Sequence, residues 1–269
     1  LKSSGGPITQ DNTGVEYYCT IFAADESPLQ EGLLWVGSDD GLIHLTKDGG
    51  KNWTNVTPKG MAEWMMINSI ETSPFDAGTC YVAGTRYKMG DFNPYLYKTT
   101  DYGATWTQIN KGIEKEHFTR VLRADPAKKG LLYAGTETGI YISFNDGKSW
   151  EAFQQNLPIV PITDMTVKDN SLIVATQGRS LWILDDLTVL HQLQKEESRP
   201  KLYAPRDAYR VPGRGGQSSL TEGTNLPNGA IVHYYLPEFY EKTDSLAISF
   251  HDANGDEIKR FSTRDKKNK

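Results

Sequence analysis

Short runs of apolar residues alternate with polar turns along residues 17–185, and this alternation is typical of β-strands. The runs group into four repeats of three or four strands. The predicted strands are 17–25, 33–37, 42–46 and 53–57; 66–73, 80–84, 95–99 and 106–110; 118–125, 131–135, 140–144 and 150–154; and 162–168, 172–176 and 181–185. Only residues 186–196 have a briefly helical pattern. The fourth repeat therefore needs an outer strand from 187–193 or from elsewhere.

One turn recurs at 46–53, 99–106 and 143–150, always between a third and a fourth predicted strand, and we call this turn the box. Its frame is a hydroxyl residue, any residue, Asp or Asn, any residue, Gly, any residue, a small polar residue and Trp. The Asp or Asn can accept backbone hydrogen bonds, the Gly permits an unusual backbone conformation, and the Trp is expected to be buried. These structural positions are Asp48, Gly50, Trp53, Asp101, Gly103, Trp106, Asn145, Gly147 and Trp150.

The spacing of the repeats predicts the fold. Pro28, Pro74 and Pro126 occupy the same place in three successive units, so the period is close to fifty residues. A period of this length with four strands in each unit is typical of a β-propeller blade. The predicted fold is therefore all-β, with about four blades, although the fourth copy at 172–186 has no box.

The boxes resemble the Asp-box, or bacterial neuraminidase repeat, of sialidases, xyloglucan-specific endoglucanases and the sortilin ectodomain. The runs at 178–186 and 205–210 resemble, more specifically, secreted bacterial sortilin-like proteins that are also described as glycosyl hydrolases. The resemblance covers roughly residues 12–260. It implies a propeller followed by β-sandwich modules, and a secreted, periplasmic or cell-surface location in a bacterium.

The chain is predicted to contain three regions. Residues 12–193 form the propeller blades, residues 194–229 form a linker rich in Gly, Pro, Ser and charged residues, and residues 230–265 form the opening strands of a β-sandwich-like module. Four blades are the lower limit for a propeller. We therefore expect a fragment of a larger propeller, whose remaining blades lie in the same parent chain or in another chain.

Composition excludes several classes of function. The chain has 29 basic and 34 acidic residues, which gives no electrostatic basis for binding nucleic acid. No apolar run is long enough to span a membrane, and the N-terminus has no apolar core of a signal peptide. No residues have the spacing of a zinc site, and no cofactor is expected. Cys19 and Cys80 are predicted to be buried free thiols, with a disulfide as the alternative.

The resemblance places functional sites on the face opposite the boxes. Candidate ligand-binding residues there are Arg86, Tyr87, Lys88, Asp91, Phe92, Trp64, His117, Arg120 and Arg179. Residues 86–93 are the best candidate segment, because a loop longer than its repeat requires often binds a ligand. The alternative is that Tyr87 and Phe92 simply pack on a neighbouring loop.

Two main functions remain open from the sequence. Hydrolysis of a glycoside needs two facing carboxyl groups, for which the candidates are Asp39, Asp40, Asp91 and Glu137. Each of these residues fits a role in capping a turn or facing water better than a catalytic role. The arginine triad and the nucleophile pair of sialidases cannot be placed. We therefore favour a module that binds a polysaccharide or an extracellular protein or peptide, over a glycoside hydrolase, part of one, or a structural spacer.

Overall fold

The computed structural model describes residues 19–193, 198–208, 229–237 and 245–264. Contacts divide the chain into two units, the first ending at Leu187 and the second beginning at Thr188. The first unit contains four antiparallel sheets, which we call blades 1 to 4. The prediction of an all-β fold is confirmed.

Blades 1 to 3 each contain four strands in sequential order, as the repeat predicts. Their strands are β1 Ile21–Glu26, β2 Leu34–Ser38, β3 Ile43–Thr46 and β4 Thr54–Asn55; β5 Met66–Thr72, β6 Cys80–Arg86, β7 Asp91–Thr99 and β8 Thr107–Gln108; and β9 Thr119–Ala124, β10 Leu132–Thr136, β11 Ile140–Ser143 and β12 Glu151–Ala152. The fourth strands are only two residues long, and each begins directly after the box Trp.

Blade 4 contains three strands, β13 Ile162–Lys168, β14 Ser171–Thr176 and β15 Leu181–Leu184. The expected outer strand at 187–193 does not form, since Thr188–Gln192 is a short helix, α1, in the second unit. Blade 4, which has no box, thus also has no outer strand among the described residues.

The four blades pack side by side about an axis. Strand β1 contacts β5, β5 contacts β9, and β9 contacts β13, so the first strands form the innermost layer. One buried apolar cluster fills the seam between blades 1 and 2, and a second fills the seam between blades 2 and 3. This radial stacking is the propeller arrangement that the sequence predicts.

Glycines in the second strands allow neighbouring blades to approach closely. A Cβ atom at Gly37 would lie 2.4 Å from Cγ2 of Ile67 in the next blade, and one at Gly135 would lie 2.6 Å from Cγ2 of Ile162. Both contacts are far shorter than van der Waals distance. At these two positions the Gly is therefore required by packing between blades.

The boxes form tight turns held by their own side chains. The side-chain oxygen of Asp48, Asp101 or Asn145 accepts the backbone N–H four residues later, at 2.9, 2.8 and 2.9 Å respectively. The expected burial of the box Trp is wrong for Trp53, which is 44% exposed, whereas Trp150 is 3% exposed.

Residues 86–93 are not the loose insertion that the sequence predicts. Strands β6 and β7 extend into this segment, where Arg86 pairs with Asp91 in the ladder. A single 3-10 turn, Tyr87–Met89, connects them, and Gly90 closes it with a left-handed φ of 72°. The segment is therefore the end of a β-hairpin that continues the ladder of blade 2.

The second unit contains two small antiparallel sheets. β16 Lys201–Leu202 pairs with β17 Tyr234–Tyr235, and β18 Ala247–His251 pairs with β19 Glu257–Ser262. Strand β16 lies in the segment 194–229 that is predicted to be a linker. Most of that segment lies outside the described residues, and so do residues 12–18 of the predicted propeller. A turn at 252–256 forms around Asp252, whose Oδ1 accepts two backbone N–H groups.

The prediction of two buried free thiols is confirmed for Cys80 and wrong for the burial of Cys19. Both are free, Cys80 is buried, and Cys19 is exposed. Burial raises the pKa of the Cys80 thiol, so this side chain behaves as a small apolar group.

A half-buried carboxyl group between blades 2 and 3 makes stability depend on pH. Burial raises the pKa of Glu71 to about 7, against the opposing effect of Arg123. Because the folded state binds this proton more tightly, unfolding becomes easier as pH rises from the ordinary value of 4.5 to about 7. Relative to Glu71→Gln, the wild type should lose at most about 1.4 kcal/mol of unfolding free energy per pH unit across this range.

Urea unfolding of both proteins between pH 4.5 and pH 8 measures this difference. Gln retains an oxygen that can accept the N–H of Ala124, which Glu71 accepts at 2.9 Å. Parallel pH profiles for the two proteins would contradict the prediction.

Candidate functional site

The ends of the blades opposite the boxes carry the loops between second and third strands. We call these ends the loop face. The first strand of each blade has a β-bulge near this face. In β9 the residue without a partner in the ladder is Arg120. A bulge redirects a side chain, which here brings Arg120 to the loop between β10 and β11.

The hairpin of blade 2 is fixed by polar contacts around Asp91. Its Oδ2 accepts hydrogen bonds from Nη1 of Arg86 at 2.9 Å and from the hydroxyl of Tyr95 at 2.6 Å. Its Oδ1 accepts the backbone and side-chain N–H groups of Asn93. Burial alone would raise the pKa of Asp91, but these donors hold it at about 2. The carboxylate is ionised and fully engaged.

Three aromatic rings meet where this hairpin touches blade 3. Tyr87 stacks on Phe118 with 5.4 Å between ring centroids and 18° between ring planes. Phe92 packs on the same ring at 6.0 Å and 48°. Phe118 is buried, while Tyr87 and Phe92 are 37% and 46% exposed. We call these three residues the aromatic platform.

An ion pair borders the aromatic platform. Nε and Nη2 of Arg120 lie 2.7 and 2.6 Å from Oε2 of Glu137. The guanidinium carbon of Arg120 lies 5.2 Å from the centroid of Phe118 and 6.0 Å from that of Tyr87. The charges at this edge are therefore compensated within the protein.

The remaining candidates are His117, Arg179, Trp64 and Lys88. His117 Nδ1 is 2.8 Å from the hydroxyl of Tyr141, and Arg179 donates to the carbonyl of Gly178. Trp64 has a left-handed φ of 62° and precedes β5, and Lys88 lies in the 3-10 turn. The structure therefore brings together six residues. Arg86 and Asp91 hold the hairpin, Tyr87 and Phe92 pack on Phe118, and the guanidinium of Arg120 lies beside Phe118.

Two of the remaining candidate carboxylates are tied into the structure. Asp39 is buried, and its Oδ1 accepts the N–H of Thr20 at 3.0 Å. Glu137 is held by Arg120. Asp40 has one buried carboxylate oxygen without a hydrogen-bond partner in the described part of the chain. Asp39 and Glu137, like Asp91, therefore already have hydrogen-bonding roles within the protein.

Sequence reasoning missed Phe118 and Tyr95. Both lie within predicted strands, where an aromatic residue ordinarily belongs to the core. The one available signal was the position of Phe118 at the start of a first strand, next to the loop face. Within the described ranges, no group of three or more His, Cys, Asp or Glu side chains could hold a metal ion. No helix among those residues is long and apolar enough to cross a membrane.

The blades and their boxes define an all-β propeller of the Asp-box type. Residues 41–182 match the Sortilin-Vps10 family, described as "Sortilin, neurotensin receptor 3". The chain belongs to this family.

Curated relatives match only part of the chain. An oligoxyloglucan-reducing end-specific xyloglucanase of Emericella nidulans is 26% identical over 106 residues, which is 39% of this chain and 13% of that protein. A probable enzyme of the same name from Neosartorya fischeri is 34% identical over 85 residues, or 31% and 10% of the two chains. The chain thus spans about one tenth of the length of these relatives.

Solved structures also resemble the chain. The structure titled "YCF48 bound to D1 peptide" has a TM-score of 0.48 and 20% sequence identity, and the match covers 62% of this chain and 52% of that one.

Proposed function

We propose that this chain is a glycan-binding module that acts outside the cell and holds a sugar chain on the aromatic platform. The observation that carries the proposal is the pair of exposed rings, Tyr87 and Phe92, fixed on a buried third ring. Aromatic rings have apolar faces, which suit the C–H faces of pyranose rings, and a ligand site commonly combines such faces with a few polar groups.

Compensated charges around the platform favour an uncharged ligand. Arg86 is paired with Asp91, and Arg120 is paired with Glu137, so neither guanidinium offers a bare charge. Hydrogen-bonding groups of these pairs can still contact sugar hydroxyls. The xyloglucanase relatives, which are named for activity on a neutral polysaccharide, support a ligand of this class.

The platform is preorganised, which supports binding of a flexible polymer. The hairpin that carries Tyr87 and Phe92 is a continuation of a four-stranded sheet, and its base is fixed by the contacts of Asp91. A rigid site loses little conformational entropy when the ligand binds.

The double variant Tyr87→Ala, Phe92→Ala tests the proposal. Each exposed ring should contribute about 1 kcal/mol to binding. The double variant should therefore bind about thirtyfold more weakly. Isothermal titration with xyloglucan, glucomannan and cello-oligosaccharides measures the change.

Phe144→Ala is the matched control. Phe144 is 37% exposed, as Tyr87 is, but lies in the third box at the opposite end of the blade. Its loss should leave affinity unchanged. Equal affinities for the wild type and the double variant, or binding only of a peptide or protein ligand, would contradict the proposal.

A glycoside hydrolase, or part of one, is the alternative that the xyloglucanase relatives suggest. A general acid needs a pKa near the working pH, and the pKa of Asp91 is held at about 2. The same polysaccharides should therefore show no new reducing ends after incubation. Release of reducing ends that Asp91→Ala or Glu137→Ala abolishes would replace binding with hydrolysis.

A further inference from the structure

The seam between blades 1 and 2 and the seam between blades 2 and 3 share one hydrogen bond. Nε1 of Trp106 in blade 2 donates to the carbonyl of Val56 in blade 1 at 2.7 Å. Nε1 of Trp150 in blade 3 donates to the carbonyl of Ile109 in blade 2 at 2.5 Å. At the outer rim the two seams then differ, because the backbone N–H of Trp150 also donates to the carbonyl of Lys111 at 2.9 Å. The chain after blade 2 thus closes the rim of the seam between blades 2 and 3.

The connection that leaves blade 1 is one residue longer than the connection that leaves blade 2. After blade 1 the next turn begins at Pro58, two residues after Val56. After blade 2 the same turn begins at Asn110, directly after Ile109. The extra residue in the first connection is Thr57.

Thr57 holds the first connection against its own blade. Its Oγ1 accepts the N–H of Ile43 in β3 at 2.9 Å. The glycine that follows shows the consequence, since a Cβ atom at Gly60 would meet no atom within 4 Å. In the second connection a Cβ atom at Gly112 would lie 2.3 Å from the carbonyl oxygen of Trp150. The first connection therefore does not cover the box of blade 2.

The uncovered space is a groove of about 660 Å³ between the outer strand of blade 1 and the box of blade 2. We call it the rim groove. It is lined by residues 54–57 and 101–106 and by Leu45, Lys47 and Lys59. Its volume lies within the range of ligand pockets, about 300–1,000 Å³.

A backbone donor without a partner points toward the rim groove. The N–H groups of Ile109 and Phe153, each three residues after a box Trp, donate to the third strands of their own blades. Since N–H groups alternate in direction along an antiparallel strand, the N–H of Trp106 points outward, as that of Trp150 does. Trp150 meets the carbonyl of Lys111 there, whereas the N–H of Trp106 has no acceptor among the described residues.

The rim groove has an excess of positive charge. Lys47 and Lys59 are exposed, and neither forms an ion pair with a described residue. Nζ of Lys47 lies 3.6 Å from the centroid of the Tyr102 ring. Asp101 is the one acidic residue in the lining, and its carboxylate already accepts the N–H and the hydroxyl of Thr105. The whole chain has a net charge of −5, so the positive charge is a local feature.

We propose that the rim groove binds an extended, acidic segment of a partner protein. A backbone carbonyl of that segment accepts the N–H of Trp106, and its carboxylates face Lys47 and Lys59. The segment takes the place that residues 110–113 occupy in the next seam.

The second seam gives the reason for a peptide ligand. There the N–H of the box Trp is paired with a main-chain carbonyl. An extended peptide offers such carbonyls along its length and places alternate side chains on one face. An acidic sugar supplies the negative charge but no row of amide carbonyls. A peptide with carboxylate side chains therefore matches both the donor and the charge of the groove.

A labelled peptide of alternating Glu and Thr residues tests the proposal, because alternation places its carboxylates on one face, about 7 Å apart. Fluorescence polarisation measures its affinity for the whole chain, and a peptide of alternating Gln and Thr is the neutral comparison. The double variant Lys47→Gln, Lys59→Gln should bind the Glu peptide about tenfold more weakly than the wild type does. The Gln peptide should bind more weakly than the Glu peptide to the wild type.

The double variant Lys111→Gln, Lys148→Gln is the matched control. Both residues are exposed and belong to the closed seam, and the loss of charge is the same. This variant should keep the affinity of the wild type. Equal weakening in the two double variants would mean that the peptide follows the overall charge of the protein, and this would overturn the proposal.

Removal of Thr57 tests the cause of the groove. The shortened connection should close the groove as in the next seam, so the Glu peptide should no longer bind, while circular dichroism shows a folded protein. Hydrogen exchange followed by NMR gives a measurement that needs no variant. The amide of Trp106 should exchange more slowly when the peptide is bound, because it gains an acceptor.

Three results would each contradict the proposal. They are an unchanged exchange rate at Trp106, no binding at a peptide concentration of about 1 mM, and tighter binding of oligogalacturonate than of the Glu peptide in the same groove. The double variant Tyr87→Ala, Phe92→Ala should bind the Glu peptide as the wild type does. The outcome at the rim groove is therefore separate from the outcome for the aromatic platform.

Discussion

Trp150→Ala is expected to lower the free energy of unfolding by about 3–5 kcal/mol. Trp150 is 3% exposed, packs in the seam between blades 2 and 3, and donates its indole N–H to the carbonyl of Ile109. Removing the ring leaves a cavity in the seam and an unpaired carbonyl. Chemical denaturation followed by circular dichroism measures the loss.

Trp53→Ala is the position-matched control, since both residues end a box. Its exposed ring has only a local contact, and we expect a change of about 0.5 kcal/mol. Similar losses in the two variants would mean that the box Trp stabilises its own turn and not the seam between blades.

Asp125→Ala is expected to cost about 3 kcal/mol of unfolding free energy. Asp125 is fully buried before the turn between β9 and β10. Its Oδ1 accepts the N–H groups of Ala127 and Lys128 at 2.8 and 3.0 Å, and its Oδ2 accepts the hydroxyl of Tyr133 at 3.0 Å. The Ala variant leaves the buried hydroxyl of Tyr133 without its acceptor and removes the two bonds that hold the turn. Urea unfolding measures the effect.

The other blades provide the control for this prediction. Ser27 and Ser73 precede the same repeat Pro as Asp125, and Oγ of Ser73 accepts the N–H two residues later at 3.1 Å. Asp125→Ser should therefore recover the bond to Ala127 but not the bond to Tyr133, and its stability should be intermediate. Adding Tyr133→Phe to Asp125→Ala should cost less than the sum of the single changes, because both remove one interaction. Strict additivity would contradict this explanation.

Much of the fold could be predicted because each repeat carries its own local signals. Turn chemistry at 46–53, 99–106 and 143–150 and the alternation of apolar residues determine where hairpins form. The failures have physical causes. Residues 86–93 looked like a loop, although the ladder continues to the pair of Arg86 and Asp91. The outer strand that 187–193 could have supplied did not form, because the helix Thr188–Gln192 occupies the segment whose pattern is briefly helical.

The candidate site could be predicted only in part. Tyr87 and Phe92 were found because their segment is longer than the repeat requires. Phe118, on which both rings pack, belongs to the next blade. The spacing of residues along the chain does not show which side chains of two blades are in contact. The pairing of Arg120 with Glu137 likewise depends on a β-bulge in β9, and no residue type in this strand predicts that bulge.

The sequence by itself determined the repeating sheet, the boxes and the blade order, since these depend on contacts between residues close in the chain. Only the tertiary structure decided which members of each repeat are buried, because burial depends on the contacts between blades. Trp53 and Trp150 occupy the same position of the same motif, yet one is 44% exposed and the other 3%. Likewise, only packing between blades turned Tyr87, Phe92 and Phe118 into one surface.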